Sequence, residues 1–356
     1  MKPFSWIQIA ILYVGVIMGA GFASGREAWQ YFGIFGYDAY YGAIAITIAF
    51  ILISIMLSYI ALSKNTSDFG ELISPVDSPL VKKTVNIILA AIYYSMIIAM
   101  TAAGGSLLNQ QFGIKKYIGG VIIAVLVVIT VFGAFERISK IFKYLTPILF
   151  TTSCVTIFLV IIADFQQSGA TSGFEPGEMT PNWFISAIVF MSFNTLGMIT
   201  MIGSSAIQSI SRKDAFIGVT IGAICLGFLT IILLRALLSD MEFSSQMDLP
   251  MLGFATRISK PLSIIYAIAL FGAVYSTAAV TYYGFSKEIP DGPNKNKILL
   301  VGAVIGFLCG LTGFKVIVEY LYSVQGFIGL VFIWMITINY IKEIKENFRI
   351  KKSIKK

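Results

Sequence analysis

Apolar runs of about the length that a helix needs to cross a bilayer follow one another along nearly the whole chain, at about 5–33, 39–63, 81–110, 116–134, 140–163, 182–210, 214–238, 258–285, 296–313 and 316–341. A helix covers about 30 Å of hydrocarbon in roughly 20 residues. Such runs leave little room for a water-soluble core: 57% of the 356 residues are hydrophobic and 12% charged, against roughly 25% charged in an ordinary soluble domain. A transmembrane barrel is excluded, since it reads as short alternating segments. The expectation is an all-α integral membrane protein of ten transmembrane helices, multi-pass in the cell (plasma) membrane, with the bilayer as its constant partner.

The few charges are unevenly placed. With both termini cytoplasmic, Lys2, Lys64, Lys82, Lys83, Arg137, Lys140, Lys143, Arg212, Lys213, Lys287, Lys295, Lys297 and the seven basic residues of the tail from Lys342 to Lys356 fall inside, nineteen in all. Six, Arg26, Lys115, Lys116, Arg257, Lys260 and Lys315, fall outside. That bias sets the expected orientation. The net charge of +8 needs no nucleic acid, since the tail at 342–356 reads as a topology signal or a solvated segment at anionic lipid. Cys154, Cys225 and Cys309 each sit in an apolar run without a pairing pattern, and there is no histidine. Neither a disulfide framework nor the commonest metal ligand is on offer. The first run is too long for a signal-peptide core and is read as retained.

The chain also looks duplicated. The first five runs begin near 5, 39, 81, 116 and 140 and the second five near 182, 214, 258, 296 and 316, an offset of about 175–180 residues. Five helices is an odd number, so the second unit must insert upside down. The expected organisation is a first repeat at 1–163, an extracellular loop at 164–181, an inverted second repeat at 182–341 and the basic tail. Inverted repeats place their site at the midplane between the halves. The first run carries "GVIMGAGFASGREAW" at 15–29, with glycines at 15, 19, 21 and 25, and the equivalent sixth run carries "FMSFNTLGMITMIGSS" at 190–205. Each glycine weakens a helix by about 1 kcal/mol, and unwound backbone in lipid must face protein or a cavity. Helices 1 and 6 are therefore both expected to break at mid-depth around a ligand. Close helix packing is the alternative use of the glycines.

These residues resemble the LeuT-fold transporters of the amino acid–polyamine–organocation superfamily, and "GAGFASGRE" resembles the YkvI-type permease family. "GVIMGAG" is similar to the G-x-x-x-G-x-G of sodium-coupled members, and "TLGM" at 195–198 to their S-L-G-F. The resemblance implies a 5+5 inverted repeat and, as a third piece, a sodium ion between helix 1 carbonyls and helix 8. Its implied ligands are the carbonyls of Gly15, Met18 and Ala273 with the hydroxyls of Ser276 and Thr277. Neutral oxygens suit such a cation. Back-bonding of the two hydroxyls to their own helix is the alternative. Proton coupling through a helix 5 lysine is the rival, but the lysines there stand at 140 and 143, at the cytoplasmic end. The resemblance also implies a substrate pocket lined by Gly19, Ala20, Gly21 and Phe22, by Tyr93 or Tyr94, by Phe193, Asn194 and Thr195, and by Tyr275.

Arg26 and Glu27 follow the break by about one turn, and Glu319 lies one turn into the last run. An Arg26–Glu319 outer gate is the expectation by resemblance. Contact between Arg26 and Glu27, or Glu27 reaching a substrate ammonium, competes with it. The function expected is secondary active transport by alternating access, as sodium-coupled symport of a small amino acid or related zwitterion. A carrier of an organic cation or quaternary amine, a proton-coupled permease, and a sensor or channel are the alternatives. No enzyme is expected, because no nucleophile–base pair stands among the runs, and no cofactor is implied beyond Na+ as coupling ion. Substrate identity and oligomeric state are not legible.

Overall fold

The protein, seen in a computed structural model, is described for residues 3–76, 78–163, 165 and 174–354; side chains at 134–146 and 350–354 fall outside that description. Half of the expected loop at 164–181 lies outside it as well, as do Lys2, Lys355, Lys356 and the side chains of Arg137, Lys140 and Lys143.

The chain is helical. The first run is not one helix but three, α1 (Trp6–Ile17), α2 (Ala20–Ala23) and α3 (Arg26–Tyr31). There follow α4 (Ala39–Lys64), short α5 (Phe69–Ile73), α6 (Pro79–Phe112), α7 (Lys116–Ile129), α8 (Phe135–Ala163), α9 (Trp183–Ile207) and α10 (Arg212–Leu237). Short α11 (Met241–Gln246) and α12 (Pro250–Ile258) lead to α13 (Lys260–Glu288), α14 (Lys295–Gly310), one turn α15 (Phe314–Val316), a π turn at Ile317–Leu321 and α16 (Tyr322–Ile354). Starts are set by local chemistry: Asn182 accepts from the amides of Phe184 and Ile185, Ser211 from Asp214, and Ser259 from Leu262, each satisfying an orphan donor of a first turn.

Among the described residues, seven segments are long and apolar enough to cross a membrane: Gly33–Lys64, Pro79–Phe112, Lys116–Gly133, Trp183–Ile207, Arg212–Gln246, Lys260–Glu288 and Phe314–Arg349. Trp6–Ile17 and Pro147–Ala163 are apolar but shorter. The expected run at 5–33 is shortened because its backbone leaves the helix at Met18–Gly19 and again at Gly25.

Expected helix 6 requires a correction. α9 is continuous from Trp183 to Ile207, so the break anticipated at 192–198 is absent. Its polar side chains instead bond the turn before them: Ser192 Oγ donates to Ile188 O at 2.7 Å, Asn194 Nδ2 to Phe190 O at 3.0 Å and Thr195 Oγ1 to Met191 O at 2.8 Å. Such i−4 bonds satisfy the polar groups without opening the helix, and the stretch at 190–205 has two glycines, Gly197 and Gly203, where 15–25 has four.

Packing pairs the helices in a regular way. α4 packs on α9 as α10 packs on α1, α14 on α6 as α7 on α13, and α16 on α4 as α8 on α10, while α6 meets α13 directly. The start of the chain is tied to the α9–α10 turn, with Phe4 N donating to Gln208 O at 2.7 Å and Ile210 N to Phe4 O at 3.0 Å. At the opposite end of the bundle, α11, α12 and the link between them cross the tops of α2, α3 and α6. Gln110 Nε2 donates to Leu249 O at 2.9 Å and Ser106 Oγ to Asp248 Oδ2 at 2.9 Å, and Lys116 is paired with the same carboxylate.

Gly218 and Gly222, one turn apart on α10, receive α1: a Cβ on Gly218 would stand 2.6 Å from Ile9 Cβ, and one on Gly222 2.7 Å from Tyr13 Cβ. Small residues let two membrane helices approach this closely. Gly222→Leu is expected to cost about 1–3 kcal/mol by overpacking, read as a fall of several degrees in the unfolding midpoint of the purified protein. Gly292→Ala, where a Cβ meets nothing, is expected to leave the midpoint unchanged.

Candidate functional site

The interruption of the first run generates a cavity. α1 ends at Ile17, Met18 takes φ −73° and ψ 51°, and Gly19 is extended at φ −75°, ψ −174°. A second turn follows at Gly25, whose φ of +79° lies in the left-handed region that favours glycine. Here a side chain would also strike Met251. Three of the loosened carbonyls find donors in other side chains or in the covering segment. Ser24 Oγ donates to Gly21 O at 2.7 Å, Tyr266 of α13 donates to Ala23 O, and Met251 N donates to Ser24 O at 2.9 Å. At the end of α1, Val14 O accepts from Met18 N and Ile17 O from Gly19 N, while no backbone amide is recorded on Gly15 O or Val16 O. Both of those residues line the cavity.

The cavity has a volume of about 580 Å³, the size of small-molecule sites generally. α1 and α2 supply Gly15, Gly19, Ala20 and Gly21; α3 supplies Glu27; α6 supplies Tyr93, Met96 and Met100. α9 supplies Phe193, Asn194, Gly197, Thr200 and Ser204, α13 supplies Ser276, Thr277 and Thr281, and α16 supplies Tyr322 and Gln325. It therefore runs from the middle of α9 and α13 toward the end of the bundle where those helices finish. The other end is covered by α3, the 247–251 segment and the start of α16.

Of the expected pocket residues, Gly19, Ala20, Gly21, Tyr93, Phe193 and Asn194 line this cavity, and Phe22, Tyr94, Thr195 and Tyr275 are not among them. The choice between the two tyrosines falls to Tyr93, since Tyr94 OH is committed to Gly302 O at 3.0 Å and its ring to Phe285. Tyr275 points the other way, its hydroxyl 2.5 Å from Thr130 Oγ1. Phe22 is packed in the core, and Thr195 is buried on its own helix.

Of the expected ion ligands, Gly15, Ser276 and Thr277 face the cavity, while Met18 and Ala273 are buried outside its lining. Ser276 Oγ donates to Ala273 O at 3.1 Å, the back-bond that stood as the alternative reading; it uses the hydroxyl proton and leaves the lone pairs of Ser276 free to accept.

The gate pair requires a second correction. Arg26, only 3% exposed, donates to Gln30 Oε1 at 2.6 Å and to Met247 O at 3.3 Å. Its guanidinium is held by the covering segment and not by Glu319, although Glu319 and Asp248 both act on it electrostatically. Glu319, on the π turn, lies against Gly177. Glu27 makes no hydrogen bond or ion pair with Arg26; its carboxyl group rests on Gly21, where a methyl group would overlap it.

Tyr322 and Gln325 have no counterpart in the expected site. Gln325 stands inside the apolar run "YSVQGFIGLVF", and an intramembrane polar side chain is itself a signal. The cavity predicts a labelling pattern in a background with the three cysteines replaced by serine. Gly197→Cys, where a Cβ meets open space, is expected to react with a water-soluble methanethiosulfonate at least about tenfold faster than Gly203→Cys, which is packed on Leu72 and Ser67. Equal rates, measured by mass shift, would remove the cavity.

No family model matches the chain. It is 24% identical over 338 residues to YkvI, a membrane protein of Bacillus subtilis (strain 168), covering 92% of this chain and 93% of YkvI. It is 22% identical over 322 residues to YyaD of the same organism, covering 90% of this chain and 92% of YyaD. Among solved structures, the inward-facing conformation of Mhp1 superposes on 92% of this chain and 75% of Mhp1, at 13% identity and a TM-score of 0.55. Mhp1 is a transporter and not an enzyme. The chain is thus a distant full-length homologue of YkvI, an all-helical membrane protein with the LeuT-type fold of Mhp1.

Proposed function

We propose that this protein is a secondary active transporter, a sodium-coupled symporter of a small amino acid or related zwitterion that works by alternating access. The observation that carries the reading is the cavity at the Met18–Gly19 interruption. It is sized for a small molecule, lined on every side by different helices, covered at one end and extended toward the other. The fold shared with Mhp1 supports it.

The ten-span, 5+5 organisation belongs to this proposal. It is supported by the mirrored packing of α4 on α9 with α10 on α1, which equivalent helices of two inverted repeats would produce. With both termini cytoplasmic, as the basic residues suggest, the cavity lies toward the cytoplasm and the cover formed by α11 and α12 is extracellular. That is an inward-facing arrangement. Closure of α1 and α9 over the bound substrate and ion, with release of the α11–α12 cover, would then complete the cycle.

Sodium is favoured by the carbonyls of Gly15 and Val16 and by the Ser276 and Thr277 hydroxyls, all neutral oxygens at the cavity wall. Purified protein in liposomes is expected to accumulate an amino acid from a panel only with an inward sodium gradient, and Ser276→Ala with Thr277→Ala to raise the sodium concentration for half-maximal uptake about tenfold or more. Undiminished uptake with potassium in place of sodium would falsify the coupling. The second reading, an organic cation carrier, is favoured by one observation, the Glu27 carboxylate at the cavity wall.

A further inference from the structure

The covered end of the cavity holds three polar side chains from two elements. Glu27 of α3 lines the cavity, is 6% exposed, and has no hydrogen bond or ion pair recorded with any described residue. Tyr322 stacks on Phe193 with ring centroids 4.4 Å apart and 18° between planes, and its buried hydroxyl has no partner. Gln325, one turn further along α16, is 3% exposed and its Oε1 is also unpartnered.

The orientation of the Gln325 amide follows from its neighbour. Ser95 Oγ gives its only proton to Ile92 O at 2.6 Å, so toward Gln325 it can only accept, and it does so from Nε2 at 2.6 Å. The amide nitrogen therefore faces Ser95 and the oxygen is left over. Glu27 offers acceptors alone when ionised, Gln325 Oε1 is an acceptor, and the Tyr322 hydroxyl serves either way. Glu27 and Tyr322 lie close enough to interact electrostatically. Among the described lining residues Glu27 is the one that carries a carboxyl group, and no lysine or arginine stands beside it in the lining. The neighbouring Arg26 is engaged with Gln30 and Met247 and does not neutralise it.

Buried acceptors without donors are costly unless a ligand supplies the donors. We infer that Glu27, Gln325 and Tyr322 form a subsite for a substrate ammonium group that still carries N–H bonds, a primary or secondary amine. A quaternary amine offers charge to Glu27 but no proton to Gln325, so the site discriminates against it. Gly21 belongs to the same device: lacking a side chain, it leaves the place in which the Glu27 carboxylate rests. This inference rests on the cavity being the transport site and names the chemistry at one end of it.

The test uses the full-length protein in detergent at neutral pH, with thermal unfolding followed against n-butylammonium chloride or n-butyltrimethylammonium chloride at ionic strength held constant with potassium chloride. A ligand that binds only the folded state raises the midpoint in proportion to its occupancy. The expected result is saturable stabilisation by n-butylammonium at about tenfold lower concentration than by its trimethylated analogue. Glu27→Gln is expected to weaken it about tenfold or more and Gln325→Leu several-fold, with both variants still monodisperse. Equal response to the two amines, an undiminished response in Glu27→Gln, or no saturable response at all would overturn the subsite. Sodium-driven amino acid uptake by liposomes of the unaltered protein separates the two claims. Uptake that survives alongside a failed amine response leaves transport standing without this subsite, and amine binding with no uptake of any panel member leaves the subsite standing without transport.

Discussion

A peptide group freed from its helix in the middle of a bilayer has no water to bond, and each one left bare costs several kcal/mol. Everything functional in this fold follows from how the first run meets that constraint. Its carbonyls at Gly21, Ala23 and Ser24 are taken up by Ser24, Tyr266 and Met251, which binds the broken segment to α13 and to the α11–α12 cover. The carbonyls of Gly15 and Val16, at the cavity wall, have no backbone donor. The outer part of the loosened backbone is thus tied to protein, and the end of α1 is left without donors where the cavity begins.

The two ends of the cavity differ in chemistry. At the covered end, charge is concentrated: Arg26 holds Met247 O, Lys315 Nζ donates to Ser245 O at 2.6 Å, and Asp248 is shared by Ser106 and Lys116. At the other end, the cavity wall is made of Thr200, Ser204 and Thr281, neutral hydroxyls, and the bundle is tied by contacts further out, such as Ser63 Oγ to Glu343 Oε2 at 2.6 Å.

Much of this was legible in the residues. Ala39–Lys64 and Arg212–Leu237 follow the expected runs to within two residues because turn and capping residues bound them. The break in the first run follows from four glycines within eleven positions. What failed was inference by equivalence. α9 has one glycine in its polar stretch, and its Ser, Asn and Thr side chains have i−4 carbonyls within reach, so the same polar signature that suggested a break is absorbed by an intact helix. The Arg26–Glu319 pair failed for a different reason: the partners that Arg26 takes, the Gln30 side-chain oxygen and the Met247 main-chain carbonyl, are neutral and invisible to any argument from charge. Adjacent tyrosines at 93 and 94 differ by about 100° around α6, and only the position of α14, with Gly302 O ready to accept, decides between them. Gln325 was overlooked because a lone polar residue in a long apolar run carries no partner in the sequence, and Ser95 lies 230 residues away.

The most direct test of the account is hydrogen–deuterium exchange of the protein in lipid nanodiscs. The amides opening α2, at Ala20, Gly21 and Phe22, lack intrahelical acceptors, and Ala20 and Gly21 line the cavity, while those of residues 194–203 sit in an unbroken α9. Peptides covering 18–23 are expected to exchange within minutes, and peptides covering 194–203 to stay protected for hours. Equal and lasting protection of both segments would contradict a first run that opens against an intact partner.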